Sequence, residues 1–222
     1  MTLQVIHGDC LDVLPTLAAG SVDCVVTDPP YGTGAWLRPG TGLGGDCRAT
    51  LVSPEWDEWD VAWLEAALRV TPNVASFCLS VRVAELWGKM PGVKRLLYWV
   101  KSDPRPRFSG QLGYGVEPIV VAGRLQPVGG IDYCNATAPR LNRDREGVDH
   151  PTQKPLCVLT WLLRILCPPG GTVLDPFLGS GTTLVACAQL GLNGIGIEQD
   201  AGYCEIARAR IEAAQQQGRL AL

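Results

Sequence analysis

The 222-residue chain predicts an α/β protein with a seven-stranded, mostly parallel, doubly wound sheet. Two observations carry that prediction. Short β-rich apolar runs alternate with stretches of helical periodicity along most of the chain. Four of those runs end on an acid, Asp9, Asp28, Asp175 and Glu198, and ligands of open α/β sheets bind at the carboxyl ends of the strands. The length suits a single domain able to bury most of its apolar surface.

In chain order, strands are expected near 3–8, 22–27, 73–80, 95–101, 116–123, 172–176 and 193–198. The run 22–27 carries one early acid, Asp23, and otherwise reads as a central strand buried on both faces. Helices are expected near 54–71, 82–89, 155–166, 182–190 and 200–216. The first opens with Ser53-Pro54, a capping residue followed by a proline that needs no N–H partner in the first turn. Trp56, Trp59 and Trp63 recur on it at helical spacing, the pattern of a core stripe.

Residues 32–53 hold six glycines with Trp36, Arg38 and Arg48 among them, and residues 125–153 are rich in Pro, Gly, Asn and Arg. Long irregular segments of this kind are usually functional or disordered. Net charge is −3, but unevenly spread: residues 1–93 carry five Lys/Arg against eleven Asp/Glu, and residues 94–154 carry ten against six. The basic surplus makes Arg105, Arg107, Arg124, Arg140, Arg143 and Arg145 candidates for phosphate contacts, with an ordinary solvated face as the alternative.

Nine cysteines without a Cys-x-x-Cys pair fit a reducing compartment, and His7 and His150 lack the spacing of metal ligands, so no metal is expected. No apolar run reaches membrane-spanning length and the chain enters a strand at once, so a soluble, cytoplasmic protein without a signal peptide is expected.

Two motifs carry the chemistry. Asp28-Pro29-Pro30-Tyr31 ends the 22–27 strand with an acceptor, two prolines that fix φ and lack N–H donors, and an aromatic face, which together suit a planar base. Thr172 to Thr183 reads as a strand, a glycine turn and a helix start; Gly179 and Gly181 permit close backbone approach, and the helix start offers unpaired N–H groups. Glu198, at the end of the next strand, is placed to accept from two ribose hydroxyls. Neither a Gly-x-Gly-x-x-Gly dinucleotide fingerprint nor a lysine-bearing phosphate loop is present, which disfavours hydride and phosphoryl transfer.

Together with His150-Pro151-Thr152-Gln153-Lys154-Pro155, these motifs resemble those of the N6-adenine and N4-cytosine amino DNA methyltransferases, over nearly the whole chain. The catalytic motif precedes the cofactor motif, as in the circularly permuted β group. The resemblance implies a Rossmann-like fold, S-adenosylmethionine (SAM) as methyl donor, DNA as substrate, and the setting of bacterial or phage restriction-modification. It implies that Asp28, Pro29, Pro30 and Tyr31 are catalytic. It also implies a cofactor pocket of Asp9 with Cys10, Asp28, Thr152, Lys154, Asp175, Pro176, Phe177, Gly179, Ser180, Gly181, Thr182, Glu198 and Gln199. In it Asp9 would meet the adenine amino group, unless it is a simple polar cap. Phe177 would form an apolar wall, Glu198 would hold the ribose and Lys154 the methionine carboxylate, while His150 is expected to be structural. The segment 101–110 resembles the family's loop beside the target base, though it is more basic and proline-interrupted than usual.

The implied reaction is direct attack by an exocyclic amino nitrogen, with Asp28 and the Pro29 carbonyl holding its hydrogens and Tyr31 stacking on the flipped base. Ring-carbon methylation would need a cysteine nucleophile after proline, and Cys167-Pro168 has the reverse order. Asp rather than Ser before Pro-Pro-Tyr inclines the resemblance toward adenine. Cytosine N4, a glutamine or RNA substrate, and a non-catalytic SAM-binding partner subunit are the alternatives. DNA contacts are expected from 32–53 and 103–149, and a homodimer because one small subunit covers little DNA.

Overall fold

The structure, a computed structural model, describes residues 1–32, 36–37, 51–52, 60–92, 94–102, 115–126, 131–137 and 153–220. Strands β1 (Leu3–His7), β2 (Cys24–Thr27), β5 (Val74–Phe77), β6 (Lys94–Lys101), β7 (Val116–Ala122), β8 (Tyr133–Ala136), β9 (Thr172–Asp175) and β10 (Asn193–Glu198) form one sheet in the order β1-β10-β9-β2-β5-β7-β6-β8. All neighbours run parallel except β7, which is antiparallel to both β5 and β6. A two-stranded antiparallel pair, β3 (Trp36–Leu37) with β4 (Leu51–Val52), lies within the glycine-rich stretch.

Period-two alternation places each central strand between two cores. Cys24 and Val26, Ala75 and Phe77, and Ile119 and Val121 join α4 (Leu156–Leu166), α5 (Thr182–Leu190) and α6 (Ala201–Leu220) on one face. Val25, Val74, Val120 and Ala122 face α1 (Cys10–Val13), α2 (Ala62–Val70) and α3 (Val83–Lys89) on the other. All four residues of β2 are buried, as a strand covered on both faces requires. Trp63 packs edge-on against Phe177, with ring centroids 5.7 Å apart, and is core as its spacing predicted. Trp56 and Trp59 lie outside the described residues, as do positions 54–59 of the expected helix, whose described part begins at Ala62.

All seven expected strands are present, and the main sheet has an eighth. That strand, β8, is a short edge strand whose Tyr133 is exposed and whose Asn135 is polar, so it lacks the apolar run that marked the others. The four-residue α1 was likewise unpredicted, being shorter than the helical period needs to show itself.

The topology decides where a ligand sits. From β9 the chain passes through α5 to β10 on one side, and from β2 through α2 to β5 on the other. The crevice outside the carboxyl ends of β9 and β2 is therefore the switch point of the sheet, the usual ligand position of a doubly wound fold.

Candidate active site

Asp28 follows β2 and Asp175 ends β9, so the two strands that flank the switch point each deliver a carboxylate there. Their roles differ. Asp175 is buried and accepts from Thr27 Oγ1 at 2.8 Å, Thr183 Oγ1 at 2.6 Å and the Phe177 amide at 3.1 Å. Burial raises its pKa to about 6 despite these three donors. Its side chain is thus a brace that ties β2, β9 and the start of α5 together, and its contribution to a pocket is to hold the loop that follows it.

That loop is fixed from two further sides. The Gly179 amide donates to Glu198 Oε2 and the Asp200 amide to Glu198 Oε1, both at 2.8 Å, while the Leu178 amide reaches the Ile197 carbonyl. Arg210 of α6, which the sequence reading missed, donates to the Ser180 carbonyl at 2.6 Å and to the Ser180 and Thr182 hydroxyls at 3.2 Å. Gly179 and Gly181 have φ of 54° and 88°, and Gly181 is the N-cap of α5 with no side-chain cap. A Cβ on Gly181 would lie 2.8 Å from Ala207 Cβ and 3.0 Å from its Cα. Gly181→Ala is therefore expected to lower unfolding free energy by about 1–3 kcal/mol, read from urea denaturation midpoints, because left-handed strain and a backbone clash coincide.

The Asp28–Tyr31 motif is held by a network only partly expected. Lys154 Nζ pairs with Asp28 Oδ2 and, at 3.0 Å, with Glu117 Oε1. Lys101 Nζ pairs with Glu117 Oε2 at 3.0 Å. The Tyr31 hydroxyl lies 2.6 Å from both Asp28 Oδ1 and Glu117 Oε1. Pro29 is buried and Pro30 half-buried. Lys154, expected at a methionine carboxylate, pairs in the structure with two protein carboxylates and lies 5.3 Å from the ring centres of Tyr31 and Phe77. The physical reason is that a buried ammonium needs a nearby counter-charge, and Glu117 supplies one from within the fold.

Burial alone would raise the pKa of Glu117, but Lys154 and Lys101 together overcome it and hold the carboxyl at about 2. Asp28 goes the other way: burial raises it, the Glu117 charge adds to the rise, and Lys154 only partly offsets both. Glu117 and Lys101 were missed as site residues. The available signal was an acid at the second position of an otherwise apolar strand, Val116 to Ala122, where a buried charge needs a partner.

Among the other expected residues, Asp9 caps α1, its Oδ1 accepting from the Leu11 amide at 2.8 Å, and sits on the exposed carboxyl-end side of β1. Cys10 is buried, with its thiol pushed up to about 12 by burial and by Asp9. Pro176 is buried behind the loop, Phe177 is half-buried against Trp63, and Gln199 is exposed, its carbonyl 3.1 Å from His7 Nε2. Thr152 and His150 lie outside the described residues, as do Arg105, Arg107, Arg140, Arg143 and Arg145. Arg124 follows β7 at the amino ends of the parallel strands, the end of the sheet opposite Asp28, and its amide binds Asn73 Oδ1. It is thus placed away from the site. Cys167 caps α4 beside Gly171 at that same far end.

A doubly wound sheet with a glycine turn after one strand, an acid at the end of the next and a carboxyl across the switch point is the arrangement of a nucleoside-cofactor enzyme of Rossmann-like fold. Comparison with known proteins narrows that class. A family profile described as DNA methylase matches residues 132–209. YubD of Escherichia coli strain K12, named as a putative methylase, is 30% identical over 211 residues, covering 95% of this chain and 90% of YubD. The type II methyltransferase M.ScaI of Streptomyces caespitosus is 25% identical over 258 residues, covering 95% and 81% respectively. The crystal structure of the M1.HpyAVI–SAM complex superposes with a TM-score of 0.65 at 26% identity, over 94% of this chain and all of that one. The cytosine-N4-specific PvuII DNA methyltransferase shares the fold, with a TM-score of 0.68 at 15% identity over 98% of this chain and 92% of that one. The chain belongs to the amino DNA methyltransferase family, whose enzymes transfer methyl groups from SAM to DNA.

The residues present suit that cofactor. The start of α5 offers amide donors beside two glycines of positive φ, and Glu198 stands half-buried at the end of β10 with its orientation set by two backbone amides.

Proposed function

We propose that the enzyme methylates the N6 amino group of adenine in DNA, after the base has left the duplex stack. The observation that supports this is the Thr27 to Asp175 hydrogen bond of 2.8 Å, which ties the strand ahead of Asp28 to the strand ahead of the glycine turn across the switch point. SAM supplies a methyl group on a positively charged sulfur, which leaves as a neutral thioether. Asp28 and the Pro29 carbonyl accept from the amino hydrogens, favouring a pyramidal nitrogen whose lone pair is available for attack. Tyr31 offers its ring to the base, and the Asp28 and Glu117 carboxylates hold its hydroxyl. No thiol is needed, and the nearby Cys78 is pushed up to about 12 by burial and by the Glu117 and Asp28 charges.

Asp28 in place of Ser favours adenine over cytosine N4 within this family. Asp9 and Glu198 are assigned to the adenine amino group and the ribose of the cofactor, with Phe177 as an apolar wall. Segments 32–53 and 103–149 are assigned to DNA contact; most of their positions lie outside the described residues. Lys101, at the boundary of the second, ties that segment to the catalytic network. A homodimer would extend the covered DNA.

Nucleoside digestion and mass spectrometry of DNA incubated with the protein and SAM tests the assignment. N6-methyladenine is the expected product. N4-methylcytosine would move the assignment to the cytosine enzymes, and SAM binding without any methylated base would favour a partner subunit. Glu198→Ala is expected to weaken SAM binding by roughly 10-fold or more in calorimetry, in line with the loss of a charge-assisted hydrogen bond and of the Gly179 anchor. Unchanged affinity would remove Glu198 from the pocket.

A further inference from the structure

The Tyr31 hydroxyl has one proton but stands 2.6 Å from two carboxylate oxygens, one of Asp28 and one of Glu117. An O–H···O⁻ contact of that length is a strong charge-assisted hydrogen bond, whereas two bare acceptors that close without a proton repel. Both contacts are satisfied together only when one carboxyl also carries a proton and donates it to the Tyr31 oxygen. Glu117 is unsuited to be that carboxyl. It is 9% exposed and faces two ammoniums at 3.0 Å, Lys101 and Lys154. Asp28 is 24% exposed and has one ammonium. The other groups around Asp28 do not change this ranking: Asp175 is occupied by three protein donors, and Cys78 at the end of β5 is a neutral thiol.

We propose that Glu117 is a positioning residue for methyl transfer, acting through the Tyr31 hydroxyl and Lys154 to keep Asp28 aligned and ready to receive the proton that the methylated amino nitrogen sheds. In that step an N–H bond of the cationic nitrogen breaks, its electron pair stays on nitrogen, and an O–H bond forms at Asp28. Asp28 then donates to the Tyr31 oxygen while Tyr31 donates to Glu117, so both 2.6 Å contacts hold one proton each. Lys101 and Lys154 keep Glu117 ionised throughout. The hydroxyl of Tyr31, and not its ring alone, thereby enters the chemistry.

This inference rests on the placement of Asp28 at the target amine, and its test separates the two. The titration of Asp28 is followed by carboxyl carbon NMR in cofactor-free protein labelled at aspartate, assigned with Asp28→Asn, and compared with the pH profile of kcat on DNA. Glu117→Gln removes a like charge and is expected to shift the Asp28 midpoint down. Tyr31→Phe removes the oxygen that accepts from protonated Asp28 and is expected to shift it down as well. Each shift is about one pH unit, the usual size for one neighbouring charge or hydrogen bond. The acid limb of kcat moves in the same direction, with SAM affinity changed less than about twofold because neither group belongs to the cofactor loop. An upward shift in Tyr31→Phe, which would mean that Tyr31 donates to anionic Asp28, or no shift in either variant, overturns the proposal. Tyr31→Phe, which deletes one oxygen, decides the matter alone if Glu117→Gln does not fold. Downward NMR shifts in both variants of a protein that methylates no base would uphold the proton network and overturn the proposed function; methylation with unshifted midpoints would do the reverse.

Discussion

Asp28→Ala is expected to abolish methyl transfer, lowering kcat by about 10³-fold or more, while SAM affinity stays within about twofold of the parent. The size follows from what is lost: the anionic acceptor that orients the amino hydrogens, and the group that takes a proton in a site where few acceptors are available. The fold should survive the change. Lys154 keeps its 3.0 Å pair with Glu117, so no buried ammonium is orphaned, and the Tyr31 hydroxyl still donates to Glu117. The cofactor loop is anchored independently by Asp175, Glu198 and Arg210. Single-turnover kinetics alongside calorimetric SAM titration measures both quantities. A variant that keeps a tenth of the parent rate would remove Asp28 from the chemistry.

Lys154→Met gives the largest expected loss of stability. It leaves Asp28 without its cation and Glu117 with only Lys101, in a site where Lys154 and Glu117 are each 9% exposed. Breaking a buried pair by removing one partner costs about 3–5 kcal/mol, and for a chain of this size that lowers Tm by about 10 °C. Adding Glu117→Gln to Lys154→Met should recover part of the loss, since it removes one of the uncompensated charges; full additivity of the two changes would show that the pair is not coupled. The pH dependence has a definite sign. Glu117 has a depressed pKa of about 2, so its ion pairs contribute fully above the ordinary glutamate value of about 4.5 and are lost as pH falls toward 2. Lys154 is raised, so its contribution is present below about 10.5 and is lost only as pH climbs beyond that. Unfolding midpoints of the parent should therefore fall on acidification below pH 4.5, and those of Lys154→Met should fall less steeply.

Much of the architecture was legible because burial patterns are local. The buried β2, the buried strands β5 and β9 beside it and the amphipathic α2 and α4 each announce themselves within a window of a few residues. The misses have the opposite character. Strand β8 is short, lies at an edge and carries Tyr and Asn, so its pairing with β6 comes from the sheet and not from its own composition. Arg124 looked like part of a basic surface, yet the antiparallel course of β7 carries it to the far end of the sheet. Sequence position could not reveal that reversal.

For the site, the residue types at the four strand ends were determined by the sequence itself: Asp9, Asp28, Asp175 and Glu198, with two prolines and a tyrosine after one and a glycine turn after another. Strand ends and turns are specified by neighbouring residues, so their chemistry is written in short motifs. The tertiary structure alone decided how those carboxylates divide their work. It buried Asp175 behind three donors, and it brought Glu117 and Lys101 from two adjacent strands, and Lys154 from the segment ahead of α4, onto Asp28 and Tyr31. Lys154 and Asp28 are separated by 126 positions in the chain. The protonation and orientation of a carboxylate depend on the charges within a few ångströms and on its exclusion from water, and neither exists until the sheet has assembled.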